Sequence, residues 1–286
     1  MKALNSILLG KPREVELAFA TFLAGGSLLI EDLPGFGKTT LAKGLASVLG
    51  LSFSRIQCTN DLLPMDILGR MSFENPSKAT FHKGPIFAEV VLLDELNRAP
   101  ARTQSAFLQA MEEGEVTLDG ITRALPSPQM FIATQNPSDH IGTTLLPESE
   151  LDRFMTRIPI GAPEPEVEKT ILLREGKIPN LTGTAKNAEE RMSADEFLGI
   201  RTMVSKVHVS ETLLDCMIRF LNHARTNGAM LSPRAGKDLI RLTRALAFLR
   251  GREHALPSDF KDALHPVISH RVKNPHEISE SFSFLA

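Results

Sequence analysis

The chain has 286 residues, enough for two domains or one large one with a substantial core. Its 32 Lys and Arg against 34 Asp and Glu leave a net charge of −2, which argues against a general nucleic-acid binder or a basic membrane-surface protein. Its two cysteines, Cys58 and Cys216, lie far apart without a C-x-x-C pair, as small buried hydrophobes do in a reducing compartment.

At the start, Asn5 and Ser6 interrupt a short apolar run that Lys11-Pro12-Arg13 ends, so no secretory leader is expected. No run is long enough to span a membrane, and a cytoplasmic location is the expectation. From about residue 12 to 160, helices alternate with short apolar strands, the mark of a parallel sheet with helices on both faces. The first strand, Ser27–Glu31, runs into Asp32-Leu33-Pro34-Gly35-Phe36-Gly37-Lys38-Thr39-Thr40, and a helix over Lys38–Leu49 follows. Strand, glycine loop and helix together let backbone N–H groups wrap a polyphosphate. Gly35 and Gly37 permit positive φ and close approach to phosphate oxygens. Lys38 sets an ammonium against the β- and γ-phosphates, and the Thr39 hydroxyl suits Mg²⁺. Asp32 stands where the generic pattern G-x-x-x-x-G-K-[ST] has its first glycine.

A second strand is expected over Ser52–Cys58, followed by an insertion at about 71–84 with a turn at Asn75-Pro76-Ser77-Lys78. The third strand, Val90–Asp94, ends in two carboxylates; Asp94 suits Mg²⁺, and Glu95 suits orienting and deprotonating an attacking water. After a helix over Ala101–Glu113, the stretch at about 115–125 reads as a hairpin with a type I′ turn at Asp119-Gly120. A strand over Gln129–Gln135 ends beside Asn136, placed either to hold the water or γ-phosphate, or as a turn residue before Pro137. A helix over Glu148–Phe154 carries Arg153, either an arginine finger for an adjacent subunit or a salt-bridge partner of Glu148, Glu150 or Asp152, with Arg157 as an alternative finger. The last strand is Thr156–Ile160, and Gly161–Glu166 reads as a linker.

Beyond it the pattern is helical, with one apolar stripe through Leu213, Leu214, Met217, Ile218 and Leu221 and another through Leu239, Ile240, Leu242, Leu246 and Leu249. Ser232 is a candidate N-cap with Pro233 in the first turn, so that Arg234 projects from a rigid helix start toward a γ-phosphate. The histidines lack metal-ligand spacing, and His265 and His270 are expected on a surface helix or turn.

Several of these motifs are particular to one family. Glu31–Thr40, Arg55-Ile56-Gln57, Asp61-Leu62-Leu63-Pro64, Gly84–Ala88, Asp94–Pro100, Met111–Gly114, Ala133–Pro137, Leu151–Phe154 and Ser232–Ala235 resemble the MoxR family of AAA+ ATPases over nearly the full length. The resemblance implies an α/β fold: an AAA+ P-loop core with a parallel five-stranded sheet over 1–162, and an all-α lid over 163–286. It implies Lys38 and Thr39 as Walker A, Asp94 and Glu95 as Walker B, Asn136 as sensor 1, Arg153 as finger and Arg234 as sensor 2. Pro34 to Thr40 would hold ATP or ADP, with Mg²⁺ on Thr39 and Asp94. A ring, usually a hexamer, is implied, with ATP at subunit boundaries and both insertions facing the pore. The implied activity is ATP hydrolysis driving chaperone-like remodelling of a client, with a von Willebrand factor A domain protein as partner. Asp32 is itself seen in this family's loop, whereas Asn60 and Lys11 depart from its usual proline and glutamine.

A nucleotide-gated scaffold with little hydrolysis is the rival from another class. A DNA-associated motor is a third reading, weakened by the missing transcription-activator loop motif and the lack of a helix-turn-helix after the lid.

Overall fold

The computed structural model describes residues 8–33, 35–75, 78–136, 146–173 and 192–282. Helix α1 (Pro12–Leu23) precedes strand β1 (Leu28–Glu31), and α2 (Lys38–Leu49) precedes β2 (Phe53–Gln57). A short α3 (Pro64–Leu68) leads to the pair β3 (Gly69–Asn75) and β4 (Lys78–Lys83). Then come β5 (Val90–Asp94), α4 (Ala101–Glu113), the pair β6 (Glu115–Leu118) and β7 (Ile121–Ala124), and β8 (Met130–Gln135). After α5 (Glu148–Leu151) and β9 (Thr156–Ile158) the described elements are helical: α6 (Pro165–Leu173), α7 (Ala194–Ser205), α8 (Glu211–Thr226), α9 (Pro233–Leu249), α10 (Pro257–Ile268) and α11 (Pro275–Glu280).

Five strands form one sheet in the order β2-β5-β8-β1-β9. The register is parallel from Phe53↔Val90 to Gln57↔Asp94 and from Val90↔Met130 to Leu93↔Ala133. β5 is buried along its whole length, as expected of a strand covered on both faces. Val90–Asp94 appears with the expected bounds, the other four expected strands are trimmed by a residue or two, and the helix expected to reach Phe154 stops at Leu151.

Contacts divide the chain into two units: Met1–Lys11, Ile30–Leu146 and Ile160–Met192 form the first, and Pro12–Leu29, Pro147–Pro159 and Ser193–Ala286 the second. In the first, Leu41, Ala42, Leu45 and Leu49 give α2 a buried face at helical spacing. Phe107 of α4 meets Phe131 of β8 edge-on at 5.4 Å. Asp119 (φ 52°) and Gly120 (φ 75°) close the two-residue turn between Leu118 and its partner Ile121, the type I′ geometry expected. Pro76 and Ser77 of the other turn lie outside the described residues; the flanking strands pair antiparallel from Gly69↔Lys83. The Arg123 guanidinium lies 3.9 Å over the Phe81 ring, joining the two hairpins.

In the second unit, Phe22 of α1 stacks on Phe197 of α7 at 4.4 Å, and Phe220 of α8 meets Phe260 of α10 edge-on at 6.0 Å. α8 buries Leu213, Cys216, Met217, Phe220 and Ala224, while Leu214 and Ile218 are exposed. The expected stripe was therefore too wide by one helical row. The fully buried Asp259 accepts from Arg250, from Arg252 and from the Leu256 N–H, which caps α10. His270 corrects the surface expectation. It is buried, and its Nε2 donates to the Phe154 carbonyl at 2.9 Å because a carbonyl can only accept. Burial and the Arg271 charge hold its pKa well below the usual imidazole value.

Candidate nucleotide-binding site

The sheet places three strand ends side by side in the first unit: the ends of β5 and β8, and the loop leaving β1. Gly35 (φ 92°) and Gly37 (φ 86°) take the left-handed region, and Gly37 is the N-cap of α2. That conformation excludes most side chains, and it leaves the N–H groups of the first helical turn unused by capping side chains. Pro34 lies outside the described residues; Phe36, Thr39 and Thr40 are half-buried around the loop. Asp32 has a structural task. Its Oδ1 accepts from the Leu33 N–H at 2.8 Å, and its Oδ2 from the N–H groups of Ile160 (2.9 Å) and Gly161 (2.5 Å). A glycine there would leave those donors without this acceptor.

Lys38 is buried, and its Nζ donates to the Asp32 carbonyl (2.5 Å) and to Asn136 Oδ1 (3.3 Å). Burial lowers its pKa, while Asp32, Asp94 and Glu95 act in the opposite sense. Asn136 is buried too, and its Nδ2 donates to Glu95 Oε1 at 3.4 Å. The Thr134 hydroxyl donates to Asp94 Oδ1 (2.6 Å) and accepts from the Glu95 N–H (2.9 Å), so one side chain of β8 orients both acids. Glu95 has φ 60° and ψ 50°, a left-handed conformation uncommon for a residue with a Cβ. The turn it makes takes Glu95 out of the strand, which ends at Asp94.

The structure thus brings together Lys38, Asp94, Glu95 and Asn136. It adds side chains that the sequence reading placed in motifs without giving them a role. Arg55 and Gln57, both on β2, reach Asp94 and Glu95, and Arg98 pairs with Glu95 at 3.0 Å. Asn97 donates from Nδ2 to the Asn136 carbonyl at 3.4 Å. The period-two spacing of Arg55 and Gln57 on a strand next to β5 was the available clue. The oxygen donors of Thr39 and Asp94 suit a hard cation such as Mg²⁺, and the buried ammonium beside them suits phosphate.

Arg153, Arg157 and Arg234 belong to the second unit and are half-buried there. Arg153 acts electrostatically on Glu150, one of the acids expected as a partner; burial nonetheless raises the Glu150 pKa. Ser232 caps α9 as expected, its Oγ accepting from the Ala235 N–H, and that hydroxyl donates to Asp152 Oδ2 at 3.0 Å. Asp152 also accepts from Arg271 at 2.7 Å, and the buried Arg271 continues to Asp238 at 2.8 Å. The segments carrying Arg153 and Arg234 therefore share one polar cluster. Nothing in the spacing of Arg271 announced it, since its partners are remote in sequence.

The model for the ATPase family associated with various cellular activities (AAA) matches residues 27–156, and that for the AAA lid domain matches residues 221–282. Chaperone MoxR1 of Mycobacterium tuberculosis is 35% identical over 279 residues, covering 93% of this chain and 72% of that protein. The uncharacterized protein YeaC of Bacillus subtilis is 35% identical over 274 residues, covering 94% and 84%. The crystal structure of a candidate ATPase from Cytophaga hutchinsonii superposes with a TM-score of 0.84 at 31% identity, covering 99% of this chain and 88% of that one. With the site's architecture and these matches over most of its length, the chain belongs to the MoxR family of AAA ATPases.

Proposed function

We propose that this chain hydrolyses ATP to ADP and phosphate, with Mg²⁺, as one subunit of a ring that remodels a client protein. The observation that carries the reading is the convergence of Lys38, Asn136, Glu95 and Asp94 within hydrogen-bonding reach of one another or of shared partners. Phosphoryl transfer asks chiefly for positioning and charge neutralisation, and these groups provide both. Lys38 and the N–H groups of the Gly35–Thr40 loop hold the β- and γ-phosphates. Glu95 accepts a proton from the attacking water, and Asn136 orients that water or the γ-phosphate. Thr39 and Asp94 would hold Mg²⁺, which would supply charge neutralisation at the phosphates.

Arg153 completes the pocket of the neighbouring subunit, with Arg157 as the alternative, and Arg234 reports nucleotide state to the lid over 163–286. A finger acting across a heterologous interface favours a closed ring, and a hexamer is the proposed size. The hairpins at 69–83 and 115–124 face its pore. The name of the mycobacterial relative, a chaperone, supports remodelling as the output. A von Willebrand factor A domain protein is the proposed partner, without nucleic acid or membrane insertion. Among the described residues no helix is long and apolar enough to cross a membrane, in keeping with a proposed cytoplasmic location. Phosphate release by wild type and Glu95→Gln tests the catalytic assignment. The variant should bind ATP and release phosphate about 100-fold more slowly or worse; wild-type-like turnover would remove Glu95 from the mechanism.

A further inference from the structure

The two oxygens of Asp94 are held in different ways. Oδ1 takes the Thr134 hydroxyl at 2.6 Å, a partner that fixes the carboxylate plane from the neighbouring strand. Oδ2 takes two N–H groups from one guanidinium, Arg55 Nε at 3.1 Å and Nη2 at 2.5 Å. A carboxylate oxygen has about two lone-pair directions, so Arg55 saturates Oδ2. Asp94 is 11% exposed at its side chain while Arg55 is 45% exposed, so the acid is enclosed and the cation reaches it from the solvent side. Nη2 also donates to Gln57 Oε1 at 2.8 Å, and Gln57 Nε2 donates onward to Glu95 Oε2 at 3.3 Å. The guanidinium is thus the head of a chain that ends on the second acid.

We infer that Arg55 is a built-in counter-cation that competes with Mg²⁺ for Asp94, so that metal arrival and release of Arg55 are one exchange. The inference rests on the reading of Asp94 as the metal's carboxylate. A divalent ion on Asp94, directly or through one water, and a guanidinium on the same oxygen would place like charges within a few ångströms, where repulsion is strong even near a protein surface. Arg55 therefore leaves when the ion binds, and its departure removes one of Gln57's partners on the path to Glu95. In this role Arg55 is a positioning residue. It raises the Mg²⁺ concentration at which the site fills and keeps Asp94 neutralised otherwise.

The alternative is that Arg55 supports Asp94 in a metal-ready rotamer, and the two roles have opposite signs. The test is Mn²⁺ binding, followed by electron paramagnetic resonance in the presence of ADP, together with fluorescent-ADP affinity in EDTA, on full-length wild type, Arg55→Gln and Arg55→Lys. A competing Arg55 gives Arg55→Gln about two- to fivefold tighter Mn²⁺ binding, the range expected for a partly exposed ion pair. ADP affinity in EDTA stays near that of wild type. Arg55→Lys, which keeps the charge, stays near wild type in metal affinity and so guards against a folding artefact in the glutamine variant. Unchanged or weaker Mn²⁺ affinity in Arg55→Gln, with ADP still bound, overturns the exchange and leaves the nucleotide site standing. Loss of ADP binding in all three chains overturns the nucleotide site and the exchange with it.

Discussion

Glu95 joins β5 to the turn after it through a left-handed residue, φ 60°, a conformation that costs a residue with a Cβ about 1–2 kcal/mol. Such strain persists where neighbours over-determine it, and here the Glu95 N–H is held by Thr134 and its carboxylate by Arg98 and Asn136. Comparing Glu95→Gly with Glu95→Ala isolates the backbone term, because both lose the carboxylate. The glycine variant should be the more stable by about 1 kcal/mol in urea unfolding; equal stabilities would mean that the turn is unstrained. Asp32 offers a second test, since Asp32→Gly restores the generic loop pattern. Removing the acceptor of the Ile160 and Gly161 N–H groups should destabilise the chain by about 1–3 kcal/mol, read by the same method. The grouping of Lys38, Asp94 and Glu95 was legible because the proposed polyphosphate site calls for those residue types beside a glycine loop. The work of Asp32 was not, because its partners come from a segment that only folding brings near.

At the scale of elements, Ser232 shows how a local rule and a distant contact meet. The N-cap was readable from Ser232-Pro233, and Ser232→Ala should cost about 1 kcal/mol. The same hydroxyl's bond to Asp152 was hidden, as was the Arg271 pair behind it. The segment after α10 also sets a pH dependence. His270 is neutral in the fold, with its pKa well below the value near 6.5 that it has when unfolded. Below about pH 6.5 the unfolded chain binds a proton that the folded chain refuses, so stability falls as pH drops through that region. Asp259, held by Arg252, the Leu256 N–H and Arg250 below the ordinary carboxylate range despite its burial, adds a further loss below about pH 4. Thermal stability should therefore fall from pH 7.5 to 5 in wild type, with a flatter slope in His270→Gln. An unchanged slope in that variant would place the titration elsewhere. The sequence pattern put His270 on the surface because an isolated histidine after a helix carries no burial signal of its own.

For the whole molecule, the α/β alternation and the helical C-terminal part were readable from period and spacing. The grouping of α1 with the C-terminal helices was not, because it rests on long-range contacts such as Phe22 on Phe197. Hydrophobic periodicity reports that a face is buried and never against what. Assembly is testable through Arg153. Arg153→Ala should lose ATPase activity alone, and mixing it with Glu95→Gln subunits should restore part of it, since each variant then supplies what the other lacks at some boundaries. No recovery in any mixture would favour a finger acting within its own subunit. The catalytic and assembly predictions rest on a nucleotide at the β1–α2 loop, and the most direct measurement is calorimetric titration of Mg·ATP into wild type and Lys38→Ala. The account predicts saturable binding by wild type and at least about tenfold weaker binding by the variant, the loss of one charge-assisted contact to phosphate. No measurable binding by wild type, or equal affinity in the two chains, would contradict it.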